Sequence, residues 1–115
     1  MKYMLMLIRD DEQWEAMSEA ERNYEGIGAW FMQMAADGVL RSGEELRAAR
    51  TATTVSWRDG APVVTDGPFL ETKETIGGFG VVEVADLDAA IALARKWPAP
   101  GHRVEVRPCV DHGQG

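Results

Sequence analysis

The sequence is poor in cysteine and histidine, and this shortage narrows the chemistry that the protein can perform. Of 115 residues, one is cysteine and two are histidine. Cys109 alone cannot form an internal disulfide, and neither histidine belongs to a pattern with metal-ligand spacing. We therefore expect no disulfide framework, no bound metal and no cofactor. The near absence of cysteine is typical of a reducing compartment and predicts a cytoplasmic protein.

Basic residues are also scarce relative to acidic ones. Twelve lysines and arginines face nineteen aspartates and glutamates, which gives a formal net charge of -7. Such a chain is repelled by a phosphate backbone or an anionic membrane surface, so we expect neither nucleic acid nor membrane as a partner. Long hydrophobic runs are absent as well. The apolar run at residues 3–8 is too short for a secretory signal.

The remaining composition is that of an ordinary globular protein. Hydrophobic residues make up 45% of the chain and charged residues 27%. A chain of this length has the size of one domain and can bury one hydrophobic core. We therefore predict a single domain over residues 1–115.

Two predicted strands are apolar on both faces. Residues 3–8 read Tyr-Met-Leu-Met-Leu-Ile, and residues 78–84 place Phe79 and Val81 on one face and Val82 and Val84 on the other. A further strand at residues 103–110 alternates apolar and charged positions. Residues 39–50 predict only a weak or interrupted strand.

Two helices and a hairpin complete the pattern. Ser18 and Glu21 have the spacing of a capping box, which begins a helix predicted over residues 18–37. Asp86 is placed as the N-cap of a second helix over residues 87–97. Asp59-Gly60 separates two strand-like runs at residues 51–58 and 61–65, which is a strong hairpin signal.

The order β-α-β, hairpin, β-α-β predicts an α+β fold of ferredoxin-like, split βαβ type with an enlarged central hairpin. Both helices can cover only one face of the antiparallel sheet. The other face also carries apolar side chains, and the simplest cover for it is the same face of a second copy. We therefore predict a homodimer formed through the sheet faces.

Residues 65–79, here called the DGPF segment, follow neither a strand nor a helix period, yet they concentrate carboxylates, a lysine, glycines and a proline. The segment contains the tetrad Asp66-Gly67-Pro68-Phe69. The chain closely resembles the YCII-related proteins, specifically their DGPF branch. The resemblance is carried by this segment together with residues 1–4, 51–55, 85–88 and 104–108.

The resemblance implies a dimeric α+β barrel. Relatives with this architecture include small enzymes without a bound cofactor, which use a cavity between sheet and helices, and some DGPF proteins are encoded beside sigma factors. Two departures stand out. Residues 21–34 contain no histidine, so the acid–base pair proposed for wider YCII-like proteins does not carry over. Gly80 stands where relatives commonly have an aromatic residue. We expect the absence of the aromatic ring to enlarge or expose the space beside the strand.

The candidate site is placed in the DGPF segment, because aperiodic loops with special backbone angles often carry function. The candidate catalytic residues are Asp66, Glu71 and Lys73, and the candidate ligand-binding residues are Phe69, Glu74, Gly77, Gly78 and Phe79. Structural interpretations stand beside these roles. Asp66 is also typical of a turn. Glu71, Lys73 and Glu74 could form a solvated ion-pair network, and Phe69 could fill space in the core.

The sequence supports more than one function. The first hypothesis is a small-molecule-binding domain, either a cofactor-free enzyme or a ligand sensor, acting in a sheet–helix cavity. The alternative is a protein-interaction or regulatory module without catalysis. A third is a monooxygenase-like or isomerase-like enzyme, which requires a large pocket.

Overall fold

The computed structural model describes residues 1–113, so the last two residues of the predicted domain lie outside the described part. Strands and helices alternate along the chain. The elements are β1 (Lys2–Asp10), α1 (Asp11–Ala16), α2 (Glu19–Arg22), α3 (Tyr24–Ala36), β2 (Leu40–Glu45), a short 3-10 helix (Ala49–Thr51), β3 (Thr53–Arg58), β4 (Ala61–Asp66), β5 (Glu74–Glu83), α4 (Leu87–Ala94) and β6 (His102–Pro108).

Four strands form one antiparallel sheet in the order β2-β5-β1-β6. This order is that of the ferredoxin-like α+β fold, which confirms the predicted fold class. Strands β3 and β4 pair only with each other and form the enlarged central hairpin, whose turn has Asp59 and Gly60 at positive φ (51° and 81°). Both φ values suit the type I′ turn expected from the Asp-Gly pair.

The hydrophobic core lies between this sheet and the helices α3 and α4. Leu5 of β1, Val82 of β5 and Met34 of α3 are fully buried in it. Trp30 fixes α3 against α4, because its indole N–H donates to the carbonyl oxygen of Leu93 at 3.0 Å. Core side chains fill the space between sheet and helices, as close packing requires.

The first helical region differs from the prediction. The capping box is present, with Ser18 Oγ accepting from the Glu21 N–H at 3.2 Å. The predicted helix over residues 18–37 is nevertheless broken at Asn23, whose left-handed backbone (φ 56°) ends α2 and whose side chain caps α3. Asparagine tolerates this conformation and is a good N-cap, so one residue serves both helices. Helix α1 was not predicted.

Gly80 also departs from expectation. A Cβ there would lie 3.5 Å from the Phe31 ring, and one at the neighbouring Gly43 would lie 2.7 Å from the same ring. The phenyl group of α3 therefore occupies the space above the two glycines. The missing aromatic residue leaves no opening, which corrects the prediction of an enlarged space beside the strand.

The second face of the sheet points away from helices α3 and α4. Within residues 1–113 it is only partly covered, by side chains of residues 46–52 and 68–72 that lie beside Met6 and Ile8, and Met6 is 7% exposed. The face carries Met4, Met6 and Ile8 of β1 with their cross-strand neighbours Phe79 and Val81. The Cα atoms extend 46 × 43 × 19 Å, and a depth of 19 Å fits one sheet and one helix layer. The radius of gyration is 16.1 Å, whereas about 13 Å is typical of a compact chain of this length.

Among residues 1–113, no helix is both long and apolar enough to cross a bilayer.

Candidate functional site

The DGPF segment consists of the last two residues of β4, including Asp66, a loop at residues 67–73, and the first part of β5. Gly67 has φ +92°, a conformation that other residues rarely adopt. Its N–H donates to the Ala52 carbonyl at 2.7 Å, and its own carbonyl accepts from Thr54 Oγ1 at 2.8 Å. These bonds fix the start of the loop against β3. The backbone conformation at this position therefore favours glycine.

An acidic depression of about 600 Å³ lies between this loop and α1. The structure brings all three candidate catalytic residues to its lining, together with four carboxylates from the end of β1 and from α1. Its charged lining residues are Asp10, Asp11, Glu12, Glu15, Arg50, Asp66, Glu71 and Lys73. Lys73 Nζ is 4.0 Å from the Asp10 carboxylate, and because the lysine is exposed this pair contributes little stability.

The candidate ligand-binding residues are spread over a wider area. Phe69 is 78% exposed, so the core-plug interpretation is wrong for the single chain. Glu74 forms an ion pair with Arg103 of β6, and Phe79 lies half-buried on the second face of the sheet.

A second depression, the sheet-face groove, lies on the second face and has a volume of about 1000 Å³. Apolar side chains form much of its lining, and polar side chains from β5, β6 and the DGPF loop complete it. The larger apolar ones are Met6, Ile8, Leu46, Pro68, Leu70 and Ile76, and the polar ones include Arg47, Thr72, Glu74, Glu105 and Arg107. We expected the cavity between sheet and helices. The groove lies on the opposite face instead, because core side chains occupy the predicted place.

A buried arginine holds in place Asp11, which lines the acidic depression. Arg9, at the end of β1, is 5% exposed. Its guanidinium donates to Asp11 and Glu45, both at 3.3 Å, and to the Leu46 carbonyl at 3.0 Å. It also lies 5.1 Å from the centre of the Trp14 ring. A buried guanidinium requires such partners, since removing its hydration is costly.

Asp11 connects three elements through one carboxylate. Besides the bond from Arg9, it accepts hydrogen bonds from the Ala49 N–H at 2.8 Å and from Thr75 Oγ1 at 3.2 Å. Burial raises the pKa of Asp11, but these hydrogen bonds and the Arg9 charge outweigh burial and hold the pKa below its ordinary value. The ionised carboxylate therefore ties β1 to β5 and to the 3-10 helix.

Sequence reasoning missed both Arg9 and Asp11. Their only signal in the sequence is the Arg-Asp-Asp run that follows the apolar residues of a predicted strand.

Gly77 makes room for the buried arginine. A β-bulge between Leu7 and Ile8 of β1 leaves Gly77 as the extra residue of β5. A Cβ at Gly77 would lie 2.5 Å from Arg9 Nε, and one at Gly78 would lie 2.9 Å from the Glu44 carbonyl oxygen. The glycine pair therefore allows close approach at a bulge.

We expect Gly77→Ala to destabilise the protein by roughly 2 kcal/mol, because the new methyl group displaces the Arg9 guanidinium from its partners. The matched control is Gly28→Ala, in the exposed middle of α3 with nothing within 4 Å of the added Cβ. That change should stabilise the protein by about 0.5 to 1 kcal/mol. Urea denaturation of both variants measures the difference. Equal effects would show that Gly77 is not required for packing.

Within residues 1–113, no group of three or more histidine, cysteine, aspartate or glutamate side chains has an arrangement that could hold a metal ion.

Comparison with known proteins identifies the family. The family model of the YCII-related domain matches residues 1–111. The chain is also 33% identical over 114 residues to the uncharacterized protein R00369 of Rhizobium meliloti (strain 1021), an alignment that covers 94% of this chain and 91% of the relative. The chain therefore belongs to the YCII-related domain family.

Proposed function

We propose that this YCII-related protein binds a small organic molecule in the sheet-face groove, with the carboxylates of the acidic depression beside it. One observation carries the proposal: the DGPF loop forms a wall common to both depressions, since Pro68 and Thr72 line each of them. A mostly apolar surface with a few convergent polar groups is typical of small-molecule sites. The DGPF branch of the family, assigned from the tetrad, is part of this proposal.

The acidic depression offers acid–base chemistry that requires no cofactor. Asp66 and Glu71 are exposed carboxylates that could accept a proton from a ligand held in the adjacent groove. Lys73 supplies the positive charge to stabilise an anionic intermediate. We propose these three residues as catalytic candidates if the bound molecule is a substrate.

We further propose that a second copy of the chain covers the groove. The second face has a half-buried apolar centre at Met4, Ile8 and Phe79, and Ile76 beside them is 46% exposed. In an isolated chain this surface contacts water, which is unfavourable by about 25 cal/mol per Å². Two such faces stacked across a two-fold axis remove both from solvent and enclose the two grooves. A cytoplasmic location completes this proposal.

Ligand binding can be tested by thermal shift against a metabolite library. The variants are Asp66→Asn and Lys73→Met, with Glu25→Gln and Lys96→Met on the exposed helix side as controls. We expect a ligand that raises the melting temperature of the wild type by several degrees, and we expect this shift to fall in the two site variants only. If no compound shifts the melting temperature and both site variants lose stability in proportion, the loop is structural.

A second candidate function is a protein-interaction module, and the hairpin favours it. One face of the β3–β4 hairpin presents Val55, Trp57 and Val64, which are 47%, 69% and 68% exposed. Such an apolar strip on a projecting element is a common docking surface. A Trp57→Ser variant that still binds the small molecule but no longer copurifies with a partner protein would favour this function.

A further inference from the structure

A third depression lies on the other side of residues 46–51 from the acidic depression. Its lining carries a net positive charge. It encloses about 390 Å³ between α1, the beginning of α3 and residues 45–51. Four arginines line it against two glutamates, although the whole chain carries a net charge of -7. The charged lining residues are Arg9, Glu15, Arg22, Glu45, Arg47 and Arg50. We call this depression the arginine pocket.

Buried and rigid groups form the inner wall of the arginine pocket. Arg9 and Trp14 are each 5% exposed, and the Arg9 and Arg22 guanidinium carbons lie 5.1 and 5.6 Å from the Trp14 ring centre. The indole is held edge-on by His102 and Tyr24, at centroid distances of 4.7 and 5.9 Å. The two guanidinium groups are therefore fixed in place before any ligand arrives, which reduces the entropic cost of binding.

Within residues 1–113, two of the four arginines have no carboxylate partner. Arg9 pairs with Asp11 and Glu45, and Arg50 pairs with Glu15. Arg22 donates to the neutral carbonyl oxygens of Trp14 and Glu15, at 2.9 and 3.0 Å. In the part of the chain that the structure describes, Arg47 has no carboxylate within ion-pair distance.

We propose that the arginine pocket binds an oxyanion, the carboxylate or phosphate group of a small molecule, through Arg22 and Arg47. A guanidinium presents a planar fork of N–H donors that matches two oxygens of a carboxylate or phosphate. The half-buried position of Arg22 against an indole weakens competition from water, so the interaction is stronger than on an open surface. The arginine pocket and the sheet-face groove share the wall at residues 46–48 and 51, so Arg47 lines both. Arg9, Trp14 and Arg22 line the arginine pocket and not the groove, and the oxyanion site does not depend on the function proposed for the groove.

The test uses the full chain with inorganic phosphate and with benzoate as separate probes, each compared with potassium chloride at equal ionic strength. Isothermal titration should show saturable binding at one site per chain for at least one probe. Arg47→Gln and Arg22→Gln should each weaken binding about tenfold or more, since each removes a charged hydrogen bond. Arg47→Lys, which keeps the charge but not the fork, should recover only part of the loss.

Arg41→Gln is the matched control, because Arg41 is exposed and donates to Gly38 at the opposite end of β2. It should bind as the wild type does. Phosphate binding alone assigns a phosphate group to the ligand, and benzoate binding alone assigns a carboxylate. The proposal is overturned if neither probe binds beyond the effect of chloride. It is equally overturned if folded Arg47→Gln and Arg22→Gln, checked by circular dichroism, bind as tightly as Arg41→Gln.

Discussion

Replacing Asp11 with alanine should lower the free energy of unfolding by roughly 2 to 3 kcal/mol, because the buried Arg9 loses one of its two carboxylate partners. The Ala49 N–H and the Thr75 hydroxyl lose their acceptor at the same time. For a domain of this size, such a loss corresponds to a decrease in melting temperature of roughly 8 to 15 °C. Denaturation in urea and calorimetry both measure it.

The control is Glu12→Ala, one residue further along α1, where the side chain is exposed. This change should alter stability by less than about 0.5 kcal/mol. If the two variants are equally stable, the Asp11 carboxylate does not hold these elements together.

The same carboxylate sets a pH dependence. The pKa of Asp11 is lowered in the folded protein, so its stabilising contribution is complete above the ordinary carboxyl pKa. That contribution is lost as the pH falls through the lower, folded-state value. In Asp11→Ala, the acid side of the stability profile should be flatter than in the wild type, and the two curves should converge at low pH.

The second large effect concerns assembly. Placing a carboxylate on the second face with Ile76→Glu should convert the proposed dimer to a monomer of 12.7 kDa. In a two-fold dimer the change introduces two charges into an apolar interface, and each costs several kcal/mol to dehydrate. A penalty of about 3 kcal/mol alone weakens the dimer more than a hundredfold. Sedimentation velocity at micromolar concentration measures the mass.

Ile76 suits this test because it is 46% exposed in the single chain, so the variant chain should still fold. Met32→Glu is the control, since Met32 is 73% exposed on α3 at the helix side. It should remain a dimer. A wild-type protein that sediments as a monomer at these concentrations would contradict the proposed assembly and leave the groove open.

The fold was predictable from sequence because its signals are local. The continuous apolar run of β1, the alternation in β6, the capping box at Ser18 and the Asp-Gly turn each fix a short element whatever the rest of the chain does. The break in the first helix was missed because the apolar stripe continues past Asn23. A single left-handed residue leaves that periodicity almost unchanged.

The surroundings of the candidate site were less predictable. Glu71 and Lys73 could be proposed from their chemistry. Arg9 and Glu45, in contrast, are 36 positions apart and meet because β5 pairs with both β1 and β2. No spacing rule in the chain brings them together. The location of the groove also depends on which face the core leaves empty, and side-chain volumes decide that only after packing.

The 3-10 helix at residues 49–51 has a consequence for ligand binding. Ala49 belongs to the walls of both the acidic depression and the groove, while Thr51 is common to the groove and the arginine pocket. A ligand in one depression that moved the 3-10 helix would also change the shape of the adjacent depression. Binding on the two sides would then be thermodynamically linked, and the linkage would be reciprocal: each ligand would change the affinity of the other by the same factor.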